Sequence, residues 1–145
     1  MSAMNGMNVS ASGMTAQRLR LDIISQNIAN VNTTRDANGN AYKRKTVVFS
    51  EKDMTPFGDI LMKTAGTASN GVKVTQILED KESEMRKVYD PSHPDADDEG
   101  YVTYPNVNIV QEMTDMIDAT RSYEANVTAF NATKNMALKG LEVGK

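Results

Sequence analysis

Residues 106–145 read NVNIVQEMTDMIDATRSYEANVTAFNATKNMALKGLEVGK and carry the strongest structural signal in the chain. Apolar side chains recur along this segment at three-, four- and seven-residue intervals, which predicts one long helix with an apolar stripe. Pro105, followed by Asn106 or Asn108 as the N-cap, marks the expected start of that helix. Acidic residues gather near this start and lysines lie further along, as the helix dipole favours. The stripe comprises Met113, Met116, Ile117, Tyr123, Val127, Phe130, Leu138 and Leu141.

A second helix is predicted at the opposite end of the chain, from about residue 3 to residue 31. Its apolar residues follow the same seven-residue repeat, and the last four keep the 3-4-3 spacing of a coiled-coil seam. Gly6 and Gly13 each weaken a helix interior by about 1 kcal/mol relative to alanine. The first turns are therefore expected to be marginal unless another surface packs on them. The apolar positions are Met7, Met14, Leu21, Ile24, Ile28 and Val31.

The middle of the chain has a different character, with short strands separated by turns and charged runs. Lys45–Phe49, Val72–Ile77 and Tyr101–Tyr104 have the composition of strands, and three strands of this length predict a small curled sheet. Gly58–Ser69 is rich in small residues and is expected to be flexible. Glu79–Lys87 is a run of charges that is interpreted as a solvated face.

These regions predict a mainly α fold with long helices at both ends and a small, irregular, β-containing middle. Its parts are an N-terminal helix (1–33), a turn-rich middle segment (34–105) and a C-terminal helix (106–145). The simplest arrangement is an antiparallel hairpin in which the two apolar stripes pack as a coiled-coil-like pair. Because two helices cover only one face of each other, apolar surface is expected to remain exposed and to mark an interaction surface.

The composition excludes several kinds of chemistry. The chain has no cysteine, which excludes disulfides, thiolate metal sites and cysteine nucleophiles. Its one histidine excludes a multi-histidine metal cage. A net charge of −3 provides no broad basic field for nucleic acid or anionic lipid. No apolar run approaches the roughly 20 residues that span a bilayer, and residues 1–17 lack the pattern of a cleaved signal peptide.

Three local features contain residue types found in functional sites. Asp95–Glu99 resembles the start of a calcium loop, but Asn106 stands where the bidentate glutamate belongs, which favours a solvated acidic turn. His93 is interpreted as a turn residue without a partner. The short basic stretch Lys43–Lys45 has only Tyr42 and Phe49 as stacking surfaces, so charge pairing at strand ends explains it better than nucleic-acid binding. No catalytic residue, metal ligand or cofactor is assigned.

Several longer motifs together resemble the flagellar rod and hook family. Ser25–Thr33 (SQNIANVNT), continuing to Tyr42–Arg44, is similar to its N-terminal signature, and Glu112–Asn126 is similar to its C-terminal signature. Asp90–Ala96 and Gly100–Asn108 resemble the proximal rod subclass, as does the long run that replaces the usual short turn before the tyrosine. The N-terminal motif residues are Ser25, Gln26, Asn27, Ile28, Ala29, Asn30, Asn32, Thr33 and Tyr42.

The resemblance implies a structural subunit of the bacterial flagellar basal body rather than an enzyme. It implies a proximal rod that surrounds the export channel and transmits motor torque, with the terminal helices packed as layers of a hollow tube. The implied partners are further copies, other rod proteins and the flagellar type III export apparatus, without nucleic acid, small-molecule substrate or membrane insertion. The implied location is the periplasmic rod, reached without a cleaved signal peptide, and the two apolar stripes would form the assembly interface.

Two other interpretations remain open at this level. The first is a helical-hairpin adaptor or export chaperone that acts as a small oligomer. The second is an enzyme or metal protein built on His93 and the acids of Asp95–Glu99.

Overall fold

The computed structural model describes residues 3–36, 39–52 and 71–143. Both predicted helices are present, with a small antiparallel β region between them, and the flexible stretch expected at Gly58–Ser69 lies outside the described residues. Within these ranges no helix is both long and apolar enough to cross a bilayer. The elements are α1 (Ala3–Ala29), β1 (Lys45–Glu51), β2 (Val72–Glu79), β3 (Arg86–Tyr89), β4 (Tyr101–Tyr104) and α2 (Ile109–Val143).

The ends of the helices follow from side-chain capping. Asn108 is the N-cap of α2, because its Oδ1 accepts hydrogen bonds from the backbone N–H groups of Val110 (3.0 Å) and Gln111 (3.4 Å). Helix α1 ends at Ala29, two residues before the predicted boundary, and the chain then turns. Asn30 stabilises this turn by accepting a hydrogen bond from the Thr33 hydroxyl over 3.1 Å.

The two helices pack antiparallel through a line of small and polar residues, the inner seam. A methyl group at Gly6 would lie 3.4 Å from Thr133, and one at Gly13 would lie 2.8 Å from the side-chain oxygen of Asn126. Further along, the Asn27 side-chain amide donates to Glu112 over 3.0 Å. The α1 positions are spaced by multiples of seven residues, and their partners on α2 follow in the opposite direction. The inner seam thus consists of Gly6, Gly13, Asn27, Glu112, Asn126 and Thr133.

The inner seam lies one residue away from the apolar lines that the sequence predicted to meet. Because each residue turns a helix by about 100°, this offset rotates many large apolar side chains away from the partner helix. Met113 is 56% exposed and Leu141 is 72% exposed, and Ile117 and Leu138 are at least half exposed. The expected burial of the two stripes against each other is wrong for these four positions. The expectation that apolar surface remains exposed is confirmed.

The strands form two separate hairpins instead of one three-stranded sheet. Strands β1 and β2 pair antiparallel and pack on α1, where the Val72 N–H donates to the Ser12 hydroxyl over 3.0 Å. Gly71 permits this approach, because a Cβ there would collide with the Ser12 side chain. Strands β3 and β4 pair separately, and β3 lies at the end of the charged run Glu79–Lys87. The run is exposed apart from the half-buried Asp80 and Met85, as expected for a solvated face. Strand β3, whose four residues are all exposed, was not predicted.

Candidate functional site

Asn27 joins three segments of the fold near the C-terminal end of α1. It is 1% exposed, and both ends of its amide are used. The nitrogen donates to the Lys45 carbonyl (2.8 Å) and to Glu112 (3.0 Å). The oxygen accepts from the Lys45 N–H (2.9 Å) and from the Tyr42 hydroxyl (2.9 Å). Because both backbone groups of Lys45 are bound, the first residue of β1 is fixed against α1 and α2.

Glu112, in the first turns of α2, is 0% exposed and forms an ion pair with Arg44, whose Nε donates to its carboxylate over 2.6 Å. Arg44 also contacts Asp115 at 3.4 Å, and Arg20 of α1 contacts the other oxygen of Asp115 at 3.4 Å. Two guanidinium groups therefore balance two carboxylates, as burial of charge requires. Together these side chains form the polar hub, defined as Arg20, Asn27, Tyr42, Arg44, Glu112 and Asp115.

The backbone of Arg44 connects the polar hub to the rest of the middle segment. Its N–H donates to Asn106 Oδ1 over 2.9 Å, and its carbonyl accepts from the Asp80 N–H over 2.8 Å. Asn106 in turn donates to the Asp80 carbonyl over 3.2 Å. Hydrogen bonds from Ser83, first from its hydroxyl, lower the pKa of Asp80 and keep this turn anionic. The chain thus leaves β2 and enters α2 beside the same arginine.

Tyr42 is the neutral member of the polar hub. Burial raises the pKa of its phenol, and the negative charges of Glu112 and Glu79 raise that pKa further. The hydroxyl therefore stays protonated and can donate to Asn27. Lys45 also places its ammonium group 5.6 Å from the centre of the Tyr42 ring.

The second candidate site is an apolar surface at the start of α2, named here the α2 stripe: Ile109, Val110, Met113 and Ile117. These side chains are between 45% and 74% exposed, although they occupy only the first turns of the helix. Exposed apolar residues this close together are typical of a protein–protein contact.

Comparison with known proteins places both helices in one family. The family model described as flagella basal body rod protein matches residues 7–35. The model described as flagellar basal body rod FlgEFG protein C-terminal matches residues 98–143. The chain is 51% identical to the flagellar basal-body rod protein FlgC of Bacillus subtilis strain 168, with 100% of both sequences covered.

The chain belongs to the FlgC family of flagellar basal-body rod proteins. It is also 43% identical to FlgC of Borreliella burgdorferi, covering 99% of this chain and 98% of the relative. It is 37% identical to FlgC of Salmonella typhimurium, covering 100% of both. This FlgC-family chain is therefore a structural subunit of the flagellar basal-body rod, and its family is not an enzyme family. The resemblance inferred from the sequence motifs is confirmed.

The residues of the N-terminal family motif have unequal environments in this FlgC-family chain. Asn27 alone among them is buried and bound on all sides in the polar hub. Thr33 accepts a backbone hydrogen bond from Tyr42 over 3.2 Å and so directs the chain back towards the hub. Ser25, Gln26, Ala29 and Asn32 are exposed.

The predicted interface residues of this rod protein fall into three groups by exposure. Ile24 is buried at 5% exposure. The exposed positions are Met113, Ile117, Leu138 and Leu141. The half-buried positions are Met7, Met14, Leu21, Ile28, Val31, Met116, Tyr123, Val127 and Phe130.

Sequence reasoning missed the charged half of the polar hub. Glu112 is one of the acidic residues near the start of α2 that the helix dipole favours, and Arg44 lies in the basic stretch expected to pair at strand ends, whereas the two residues pair with each other. One usable signal was available. Asn27 and Glu112 lie one residue before the predicted seam positions Ile28 and Met113, where a polar side chain needs a partner if it is buried.

Several polar groups of the loop before β4 are engaged within the loop or with the segment that follows α1. The Asp95 N–H donates to His93 Nδ1 over 3.1 Å, so the expectation that His93 lacks a partner is wrong. The Asp95 carboxylate accepts from the Thr34 hydroxyl (2.8 Å) and lies 3.5 Å from Arg35. Asp97 accepts from the Tyr101 N–H over 2.8 Å. Among the described residues, no group of histidine and acidic side chains has the arrangement of a metal site.

Proposed function

We propose that this chain polymerises with its own copies and with other rod proteins into a hollow proximal rod that surrounds the export channel and transmits motor torque. The observation that carries the proposal is the exposed apolar surface of α2 in a rod-family chain. Val110, Met113 and Leu141 are each more than half exposed. Burial of apolar surface is worth about 25 cal/mol per Å², so contact with neighbouring subunits is strongly favoured.

The packing of the two helices suggests different roles for their inner and outer faces. The inner seam uses glycine, asparagine and threonine, which allow the backbones to approach closely. Apart from the buried Ile24, the large side chains of the predicted set remain at least partly exposed and available for contacts between subunits. We propose this set as the assembly interface, with Ile24 packed beneath it and with α1 and α2 as a coiled-coil-like pair within a tubular wall. Large, well-packed contacts between long helices resist twist, since close-packed interiors have low compressibility.

The polar hub contributes to the same function by joining the helices to the middle segment. Torque that acts on the helices must be transmitted to the β hairpins without being lost in flexible segments. Arg44 and Asn27 bind both helices and the start of β1, so they transmit displacement through short hydrogen bonds instead of a flexible linker.

We also propose an export route and a cellular location for this chain. The chain would leave the cytoplasm through the flagellar type III apparatus and reach the periplasmic part of the rod. The exposed apolar side chains of α2 support this route, because a single chain leaves them in water and gains no stability from their burial before it unfolds in transit. No catalytic activity, cofactor or small-molecule substrate forms part of the proposed function.

The test is a double substitution on the α2 stripe, Met113→Glu with Ile117→Glu. Both side chains are already exposed, so the monomer should keep its helical circular dichroism and should be exported normally. Rods should be absent from basal-body preparations, and cells should not swim. Thr114→Glu, an exposed position beside Met113, is the matched control and should preserve rods and motility. Intact rods in the double variant would overturn the proposal.

A further inference from the structure

A groove lies between α1 and the start of β2, on the side of α1 away from the inner seam. Its volume is about 630 Å³. Ala16 and Leu19 of α1 form one wall, and Val72 and Val74 of β2 form the other. The hydrogen bond from Val72 to Ser12 fixes the spacing of the two walls. The groove is therefore a preformed apolar surface of the size that receives a few side chains.

The charges around the groove are mainly positive. Arg18, Lys52 and Lys73 lie along it, and Asp22 is the single acidic residue that lines it. The start of α2 has the opposite character, since residues 109–126 contain four acidic side chains and one basic side chain. Glu112 and Asp115 are engaged in the polar hub, whereas Asp118 and Glu124 are exposed. Glu124 follows Ile117 by one seven-residue repeat, so it extends the line of the α2 stripe.

We propose that the groove receives the α2 stripe of a second copy of this chain. The inference rests on the proposed function and names the two complementary surfaces of one subunit contact. Apolar side chains of the stripe fill the groove, and Glu124 of the incoming copy approaches Arg18. Within one chain this contact is prevented, because the inner seam holds α2 on a different face of α1, as the approach of Gly13 to Asn126 shows.

The symmetry of the contact agrees with a tubular assembly. The stripe and the groove are different surfaces, so each copy offers its stripe to one neighbour and its groove to another. Such head-to-tail contacts close into rings or continue as helices, whereas a self-complementary contact stops at a dimer.

Cysteine cross-linking tests the inference directly, because the chain contains no cysteine. Cells would make two differently tagged copies, one with Leu19→Cys and the other with Met113→Cys, and isolated basal bodies would be treated with a short bis-maleimide. Met136→Cys is the matched control for the second position, since it is 65% exposed on the same helix but outside the stripe. The Leu19–Met113 pair should cross-link several-fold more than the Leu19–Met136 pair.

Charge exchange gives a second readout that does not depend on the introduced thiols. Arg18→Glu should reduce motility, and Glu124→Arg in the same chain should restore it, because each contact then regains opposite charges. Equal cross-linking of both pairs, or capture of a different rod protein at Leu19→Cys, would overturn the inference. Intact rods that lack the cross-link would leave the proposed function standing, whereas rods built despite Met113→Glu and Ile117→Glu would remove the proposed function itself.

Discussion

Replacing Glu112 with glutamine tests the polar hub most directly. The carboxylate is 0% exposed and accepts from Arg44 at 2.6 Å and from Asn27 at 3.0 Å. A glutamine keeps the shape but has one acceptor oxygen, so either Arg44 or Asn27 loses its partner. Arg44 would retain only the 3.4 Å contact with Asp115 as an ion pair.

The expected cost can be worked from these contacts. Breaking one partner of a buried ion pair costs about 3–5 kcal/mol. The Arg44 side chain is 24% exposed, so water compensates part of the loss and the low end applies. A decrease of about 3 kcal/mol is a large share of the 5–15 kcal/mol that stabilises a typical domain. It corresponds to a fall in the melting temperature on the order of 10 °C.

The assay is urea unfolding of the purified monomer, followed by circular dichroism. Glu124→Gln removes the same charge from an exposed position of the same helix and should change stability by less than about 0.5 kcal/mol. Adding Arg44→Met to each variant completes a double-mutant cycle, in which Arg44 and Glu112 should be coupled and Arg44 and Glu124 should not. Equal stability of the Glu112→Gln and Glu124→Gln variants would show that the hub does not hold the fold together.

Three further predictions address the inner seam, the phenol and the chain ends. Gly13→Ala should gain less stability in thermal unfolding than Gly140→Ala, because its new methyl group would lie 2.8 Å from the Asn126 side chain and displace it. Gly140 has open space around it, so Gly140→Ala should gain the full difference in helix propensity, about 1 kcal/mol. An equal gain in both variants would contradict the close approach of the helices. Tyr42→Phe should cost about 1 kcal/mol near neutral pH by removing its hydrogen bond. The raised pKa means that the folded state favours the neutral phenol, so the stability of the wild-type protein should also fall as pH rises above the ordinary tyrosine pKa of 10.0. The Tyr42→Phe variant should lose this fall in stability. The Tyr89→Phe variant, which changes an exposed tyrosine, should keep it. Limited proteolysis should cut the isolated monomer before Gly13 and should spare the same bonds in assembled rods, because we expect assembly to order the first turns of α1. Resistance of this segment to the protease in a monodisperse monomer would contradict the prediction.

Much of the architecture was accessible from local patterns. The positions of Pro105 and Asn108 predict the start of α2, because capping depends on residues within one turn. The apolar repeats predict both long helices for the same reason. Strand β3 was missed because Arg86 and Lys87 are charged, and its pairing with β4 depends on partners twelve to eighteen residues away. The second hairpin could not be separated from the first by composition.

The amino-acid sequence establishes the two helices, their apolar repeats and, through its motifs, the rod family. These properties follow from neighbours three to seven positions apart and from motif identity. The packed fold settles which face of each helix meets the other, and it assembles the polar hub from residues as distant as Asn27 and Glu112, 85 positions apart. The physical reason is that a helical repeat indicates that one face is to be buried, but the surface that covers this face depends on close approach at residues such as Gly13. Here that approach favours small side chains along the inner seam and leaves large ones such as Met113 and Leu141 on the outer surface.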